Sequence, residues 1–198
     1  REPRYTPYHI RHRTEVAGFM TILHGDDRVY NNIIVQTHPI DEKKTPQDFD
    51  YNQAGTAPFD IFPTYDEWIC HFMMGEEPDM DVLAKYHFSH LPAWIDGNAY
   101  FNGATVYDKE QHKFENINDK AKLNIEVSED GGFKIDTNLY ELLGDFKVDL
   151  IDSDVLGNAF EPEQRFENPD GTTIIFDTDY FGNKRDEKTI PGPFAKPL

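Results

Sequence analysis

The sequence has a single cysteine, no apolar run of about 18 residues, and 19 basic side chains against 37 acidic ones. Each shortage excludes something. The lone Cys70 cannot make an internal bridge, so a core must form without disulfides, and 198 residues bury enough surface for that. Without a long apolar run no segment is expected to span a membrane, and Arg1–Arg4 does not open a signal peptide. The charge balance is 19 − 37 = −18 with histidine neutral. Proteins bind phosphate backbones by placing Lys and Arg against them, so neither a nucleic acid nor an anionic membrane is expected as partner. A neutral, cationic or metal partner remains. No Asn-x-Ser/Thr site occurs, which fits a bacterial or intracellular protein better than a eukaryotic secreted one and leaves the compartment open.

Aromatic residues are plentiful at 14%, with 15 Phe and 10 Tyr, and there are 13 Gly and 13 Pro. Disordered chains are poor in aromatics, so this composition points instead to many short strands joined by turns. Thr21–Leu23 and Arg28–Val35 read as strands flanking a Gly25-Asp26-Asp27 turn. Ile33-Ile34-Val35 hardly alternates, which predicts burial on both faces, as in a parallel sheet. Residues 41–63 lack periodicity and carry three prolines, so a surface excursion is expected there. Thr64-Tyr65-Asp66-Glu67 matches a capping box and opens a helix with Trp68, Ile69, Phe72 and Met73 on one face. Glu76-Glu77-Pro78 ends it, and 79–85 form a second short turn. Later strands are expected at 99–101, 123–127, 133–135, 146–150 and 173–176, separated by Gly- and Asn-containing turns.

Reactive side chains are densest at 8–28: Tyr8, His9, Arg11, His12, Arg13, Glu15, His24, Asp26, Asp27 and Arg28. Such an edge suits hydroxyl-rich ligands, which accept from Arg and His and donate to Asp and Glu. It equally describes a surface loop laced with ion pairs. Among the carboxylates, Glu15 with Asp26 or Asp27 is the least arbitrary pair for glycoside hydrolysis. Asp152-Ser153-Asp154-Val155-Leu156-Gly157-Asn158 recurs 25 positions later as Asp177-Thr178-Asp179-Tyr180-Phe181-Gly182-Asn183. Asp152, Asp154, Asp177 and Asp179 could supply oxygen ligands to calcium, although acidic turns are ordinary in so acidic a chain. A structural calcium there is the one exception to an expectation of no cofactor. His9/His12 and His87/His90 lack a third ligand at fixed spacing, and Cys70 and His71 point about 100° apart on a helix, too far for a nucleophile and base.

Several stretches together resemble the C-terminal portion of right-handed parallel β-helix glycosidases of the β-xylosidase type, glycoside hydrolase family 120 and its relatives. They are Thr6–His9 with His12–Gly18, Gly25–Val35, Gly97–Ala104 and Phe166–Thr172. Asp26-Asp27-Arg28-Val29-Tyr30-Asn31-Asn32-Ile33 looks like a coil with Asn stacked at a corner. The resemblance implies an all-β fold: β-helix coils at 1–40, a loop and short-helix excursion at about 41–90, and coils with a C-terminal cap at 91–198, in one domain. It implies retaining hydrolysis of xylo-oligosaccharides or a similar neutral glycan. The catalytic carboxylates would sit on preceding coils, the aspartate in a Trp-x-Asp-Trp-like context. Trp94-Ile95-Asp96-Gly97 echoes that context in the wrong neighbourhood, and the role is not carried to Asp96. No catalytic residue is then expected in this chain, with Glu15 and Asp27 as the fallback pair. Substrate contacts are expected from His9, Arg11, His12, Glu15, His24 and Asp27. An N-terminal β-helix chain or segment of the same enzyme should stack on residues 1–35, because a coil cannot bury its open end alone. A non-catalytic carbohydrate-binding or capping module is the competing reading. A lyase of uronate polymers is a third, to which a charge of −18 is a poor match.

Overall fold

The computed structural model describes residues 3–6, 9–13, 25–45, 48, 51–72, 90–118, 120–129, 131–160 and 163–197, with the backbone alone at 3–6, 9–13 and 69–72. Short strands predominate: β1 Pro3–Thr6, β2 His9–Arg13, β3 Asp27–Tyr30, β4 Ile33–Val35, β5 Ala93–Asp96, β6 Ala99–Phe101, β7 Phe114–Asn116, β8 Leu123–Val127, β9 Phe133–Thr137, β10 Val148–Asp149 and β11 Lys188–Thr189. Helices are few: α1 Tyr65–Phe72, α2 Leu139–Leu143, α3 Ser153–Leu156 and a 3-10 turn at Ala57–Ile61. The all-β class stands, in small sheets of two or three strands. Among the described residues no helix is long and apolar enough to cross a membrane.

The chain divides into two compact units, one of Arg1–Arg28, Ile61–Trp94 and Ile151–Phe176, the other of Val29–Asp60, Ile95–Leu150 and Asp177–Leu198. The second unit is built on a parallel ladder, β4-β6-β7, in which Ile33, Ala99 and Phe114 share one rung and Val35, Phe101 and Asn116 another. Parallel pairing of Ile33–Val35 was readable from its unbroken apolar run, though its side chains are half-buried, not sealed on both faces. Ala99 and Phe101 are fully buried and join Ala121, Leu139 and Leu143, with Phe114 and Phe146 packed against them. Polar residues turn the corners. Asn31 and Asn102 take left-handed backbone angles, which Asn tolerates better than most residues. The expected Asn stack is present: the Asn32 amide donates to Asn98 Oδ1 at 3.0 Å, and Asn98 Nδ2 donates to the Val29 carbonyl at 2.9 Å.

A methyl group at Gly55, where φ is +139°, would lie 2.2 Å from the Thr105 carbonyl oxygen. That close approach lets the Gly55–Thr105 parallel bridge form. The expectation of successive coils departs from the structure at β8 and β9. These strands pair antiparallel, Leu123 with Thr137 through Val127 with Phe133, because the short Ser128–Gly132 turn reverses the chain at once. The expected strand at 146–150 shrinks to Val148–Asp149, and 173–176 make only isolated bridges at Thr173 and Ile175.

In the first unit the predicted capping box closes α1. Thr64 N–H donates to Glu67 Oε2 at 2.7 Å and Glu67 N–H to Thr64 Oγ1 at 3.2 Å, which satisfies two of the helix's orphan amides. Trp68 is buried and meets Phe160 edge-on with ring centroids 5.5 Å apart. β1 and β2 pair antiparallel, Pro3 opposite Arg13 and Thr6 opposite His9. The expected strand Thr21–Leu23, the turn at 79–85 and His87 lie outside the described residues.

Candidate functional site

The first unit fixes the part of the acidic and basic cluster that falls in β3. Arg28 Nε donates to the Leu156 carbonyl at 2.8 Å, Nη2 to the Asn158 carbonyl at 2.6 Å, and Nη1 to both the carbonyl and the carboxylate of Asp26. The guanidinium carbon stands 4.0 Å from the Trp94 ring centroid and 4.6 Å from that of Phe166. With its side chain 8% exposed and its donors engaged by protein, Arg28 ties residues far apart in sequence. Asp26 is engaged twice over, since its other oxygen accepts from Phe160 N–H at 3.0 Å. Both side chains are committed to protein partners in this arrangement, whereas Asp27 is exposed beside them. His9, Arg11 and His12 fall on β2, known as backbone only; Glu15 and His24 lie outside the described residues, as do the side chains of Cys70 and His71. The pairing of Glu15 with Asp27 is therefore not tested by geometry.

The D-x-D carboxylates hold turns. In the first unit Asp152 caps α3, accepting from the N–H groups of Asp154 and Val155, while Asp154 pairs with Arg165 at 2.7 Å. In the second, Asp177 pairs with Lys184, and Asp179 accepts from the N–H groups of Phe181, Asn183 and Ala195 and from the Asn183 amide. Desolvation pulls the Asp179 pKa upward, yet those hydrogen bonds outweigh it and hold the carboxyl down at about 2. Among the described residues no group of three or more His, Cys, Asp or Glu is placed to hold a metal ion. What the Asp179 turn offers to solvent is aromatic: Tyr180 and Phe181 are 73% and 65% exposed, and Phe181 stacks on buried Phe194 at 5.3 Å. The sequence contained this signal in the aromatic pair that replaces Val155-Leu156 in the repeated motif.

Beneath the ladder of the second unit runs a buried polar chain. Tyr100 OH meets Thr56 Oγ1 at 2.7 Å and donates to Glu110 Oε2 at 2.5 Å, and Glu110 Oε1 accepts from the N–H and amide of Asn98, each at 2.9 Å. Burial raises the Glu110 pKa more than these donors lower it, and burial together with Glu110 raises that of Tyr100. A carboxyl biased toward protonation is a feature of catalytic acids, but Glu110 is 4% exposed, so here it organises the core.

The C-terminal ends of the three ladder strands open into a cleft of about 590 Å³. Gln36 and Thr37 follow β4, Asn102 and Gly103 follow β6, and Ile117 and Asn118 follow β7, so consecutive corners form one wall. The segment Lys120–Leu123 closes the other side. This volume lies within the range of small-ligand sites.

No family model matches the chain, and no curated protein does either. Among solved structures it is similar to XylC in complex with xylose, with a TM-score of 0.68 and 26% identity over 86% of this chain. The chain spans 24% of that chain's length.

The similarity gives the all-β arrangement a known counterpart, and the described residues divide the chemistry accordingly. Asp26, Arg28, Asp152, Asp179 and Glu110 spend their charges on protein groups. Among the described residues the cleft and the Tyr180–Phe181 turn are two surfaces of the second unit open to a ligand, the one concave and polar, the other aromatic.

Proposed function

We propose that this chain is part of a retaining glycoside hydrolase of the β-xylosidase type, acting on xylo-oligosaccharides or a similar neutral glycan. The observation that carries the reading is the similarity to XylC in complex with xylose across most of this chain. The in-register parallel ladder with Asn at its corners supports the finer reading of right-handed β-helix coils. In the proposed mechanism one carboxylate attacks the anomeric carbon and a second protonates the leaving oxygen, and water then releases the sugar. Both carboxylates are assigned to an N-terminal polypeptide or segment that stacks on residues 1–35. Binding contacts are assigned to His9, Arg11, His12, Glu15, His24 and Asp27 of this chain. Aryl-xyloside hydrolysis measured with and without the upstream polypeptide tests this. Activity is expected only in combination, and an intact complex without glycosidase activity overturns the proposal. Native mass measurement of the purified protein shows whether a second polypeptide travels with it.

A non-catalytic carbohydrate-binding or capping module is the second reading, favoured by the exposed Tyr180 and Phe181. Under it the isolated chain is monomeric and retained on a glycan column, with no dependence on a partner.

A further inference from the structure

We infer that the cleft at the end of the parallel ladder binds a carboxylate-bearing sugar, with Lys120 and Lys122 as the groups that recognise its charge. The inference rests on the glycan reading above and adds to it an acidic residue carried by the sugar.

The first argument is one of elimination within the lining. Gln36 has both ends of its amide engaged: Nε2 donates to the carbonyls of His38 and Asn52, and Oε1 accepts from Ala54 N–H. Asn102 is likewise spent on the two backbone groups of Ala121, each at 2.9 Å. Both amides are thereby fixed on backbone groups, and what Asn102 keeps is a second N–H and a second lone pair. A neutral sugar needs acceptors for its hydroxyl protons as well as donors, and carboxylates are the usual acceptors. None of the described lining residues is acidic. Asp119, next to Lys120 in sequence, lies outside the described residues.

The second argument is the placement of the lysines. Ala121 is buried in the core cluster, and Asn102 holds its backbone on both sides. Asn138 holds the flanks, accepting from Lys122 N–H at 2.7 Å and donating to the Lys120 carbonyl at 3.3 Å. Residues two apart in an extended segment point the same way, and Lys120 and Lys122 are both exposed and both line the cleft. Their Cα atoms are then about 6.6 Å apart, a spacing from which two flexible ammonium groups converge on one carboxylate. Neither ammonium is held by an ion pair or hydrogen bond among the described residues. Beside them Ile117 is 81% exposed and offers an apolar surface for a ring face, while Thr37 and Asn118 are exposed and can meet hydroxyls. Two cations, an apolar wall and two small polar groups match a uronic acid better than an uncharged pentose.

The overall charge of −18 opposes long anionic polymers but not one charged residue held locally. At physiological salt fields are screened beyond about 8 Å, so the nearest charges dominate.

The test is calorimetric titration of the full chain, with its partner polypeptide if one copurifies, in low salt. Three probes are compared: a xylo-oligosaccharide, the same oligosaccharide bearing one glucuronic acid, and free glucuronic acid. The acid-bearing oligosaccharide is expected to bind at least about fivefold tighter than its neutral counterpart, with the advantage falling as salt rises. Lys120→Gln with Lys122→Gln should erase the advantage, and Lys120→Arg with Lys122→Arg should keep most of it. The lysines are exposed, so unchanged thermal midpoints are expected and separate lost binding from lost folding. Free glucuronic acid binding with the same lysine dependence supports the inference and assigns recognition to the acid itself. Equal affinity for the two oligosaccharides, or an advantage that survives the double Gln variant, overturns it while leaving the glycan reading intact. Absence of binding by all three probes overturns both.

Discussion

The Tyr100 hydroxyl donates to Oε2 of Glu110 at 2.5 Å, in a place where the two residues are 2% and 4% exposed. A buried carboxylate without a cation survives because three donors converge on it. Glu110→Ala would strand the N–H and amide of Asn98 and the Tyr100 hydroxyl, at a cost of about 2–4 kcal/mol. Glu110→Gln keeps the volume and one acceptor oxygen, so about 1 kcal/mol is expected. Tyr100→Phe should fall between, at about 1–3 kcal/mol, because Thr56 and Glu110 both lose a partner. Urea unfolding of the three variants measures this, and midpoints equal to that of the parent would remove the network from the stability of the fold.

The same carboxyl sets a pH dependence of defined sign. Burial raises the Glu110 pKa, so the folded chain retains a proton that the unfolded chain has released. Stability from this group is complete below the ordinary carboxylate range and is lost as pH rises through the raised value. Asp179 acts oppositely. Its hydrogen bonds overcome desolvation and hold it at about 2, so its contribution is present above the ordinary value near 4 and disappears as pH falls toward 2. Thermal midpoints followed from pH 2 to pH 7 should show Asp179→Asn flattening the acid limb and Glu110→Gln flattening the decline above it.

How much of this was legible depended on range in sequence. The Thr64–Glu67 box is complete within four residues, and the parallel nature of Ile33–Val35 follows from three apolar side chains in a row. A stacked Asn at the corner of the 26–33 stretch was expected from the resemblance, whereas its partner Asn98, 66 positions away, was not named by it. Arg28 could not be placed: its acceptors on Leu156 and Asn158 are 128 and 130 positions away, so the sequence left open whether its cluster met a ligand or other protein groups. Phe114-Glu115-Asn116 carries no strand signal of its own and is a strand because it pairs with β6. The Asp residues of the repeated motif read either as ordinary acidic turns or as calcium ligands, and the backbone N–H groups that engage Asp152 and Asp179 are those of turns.

Arg28→Lys isolates the value of the fork. Lysine retains the charge but cannot reach the carbonyls of Leu156 and Asn158 while lying between Trp94 and Phe166. A loss of about 2–3 kcal/mol is expected, most of it persisting in high salt because hydrogen bonds and ring contacts, more than long-range attraction, are removed. Chemical unfolding at two salt concentrations checks both parts, and a variant as stable as the parent would refute the clamp.

Gly55→Ala tests the close approach that seats Thr56 under Tyr100. The added methyl would meet backbone atoms of Thr105 at 2.2 and 2.5 Å, and neither can swing aside as a side chain would. The positive φ adds strain, so a loss of more than about 3 kcal/mol or failure to fold is expected. Gly55→Ala folding with an unchanged midpoint would mean that the Gly55–Thr105 bridge is dispensable.

The Tyr180–Phe181 turn separates folding from glycan retention. Tyr180 is 73% exposed, so Tyr180→Ala should leave stability within about 0.5 kcal/mol of the parent. Phe181 stacks on Phe194, and Phe181→Ala should cost about 1 kcal/mol. If the two rings present a platform to sugar rings, each variant loses several-fold in retention on immobilised xylan, and the double variant is not retained. The ranking of the losses matters more than their size. Tyr180→Ala weakening retention without moving the thermal midpoint identifies a binding surface, whereas losses that track stability across the three variants would show only that an aromatic cluster holds this turn against Phe194.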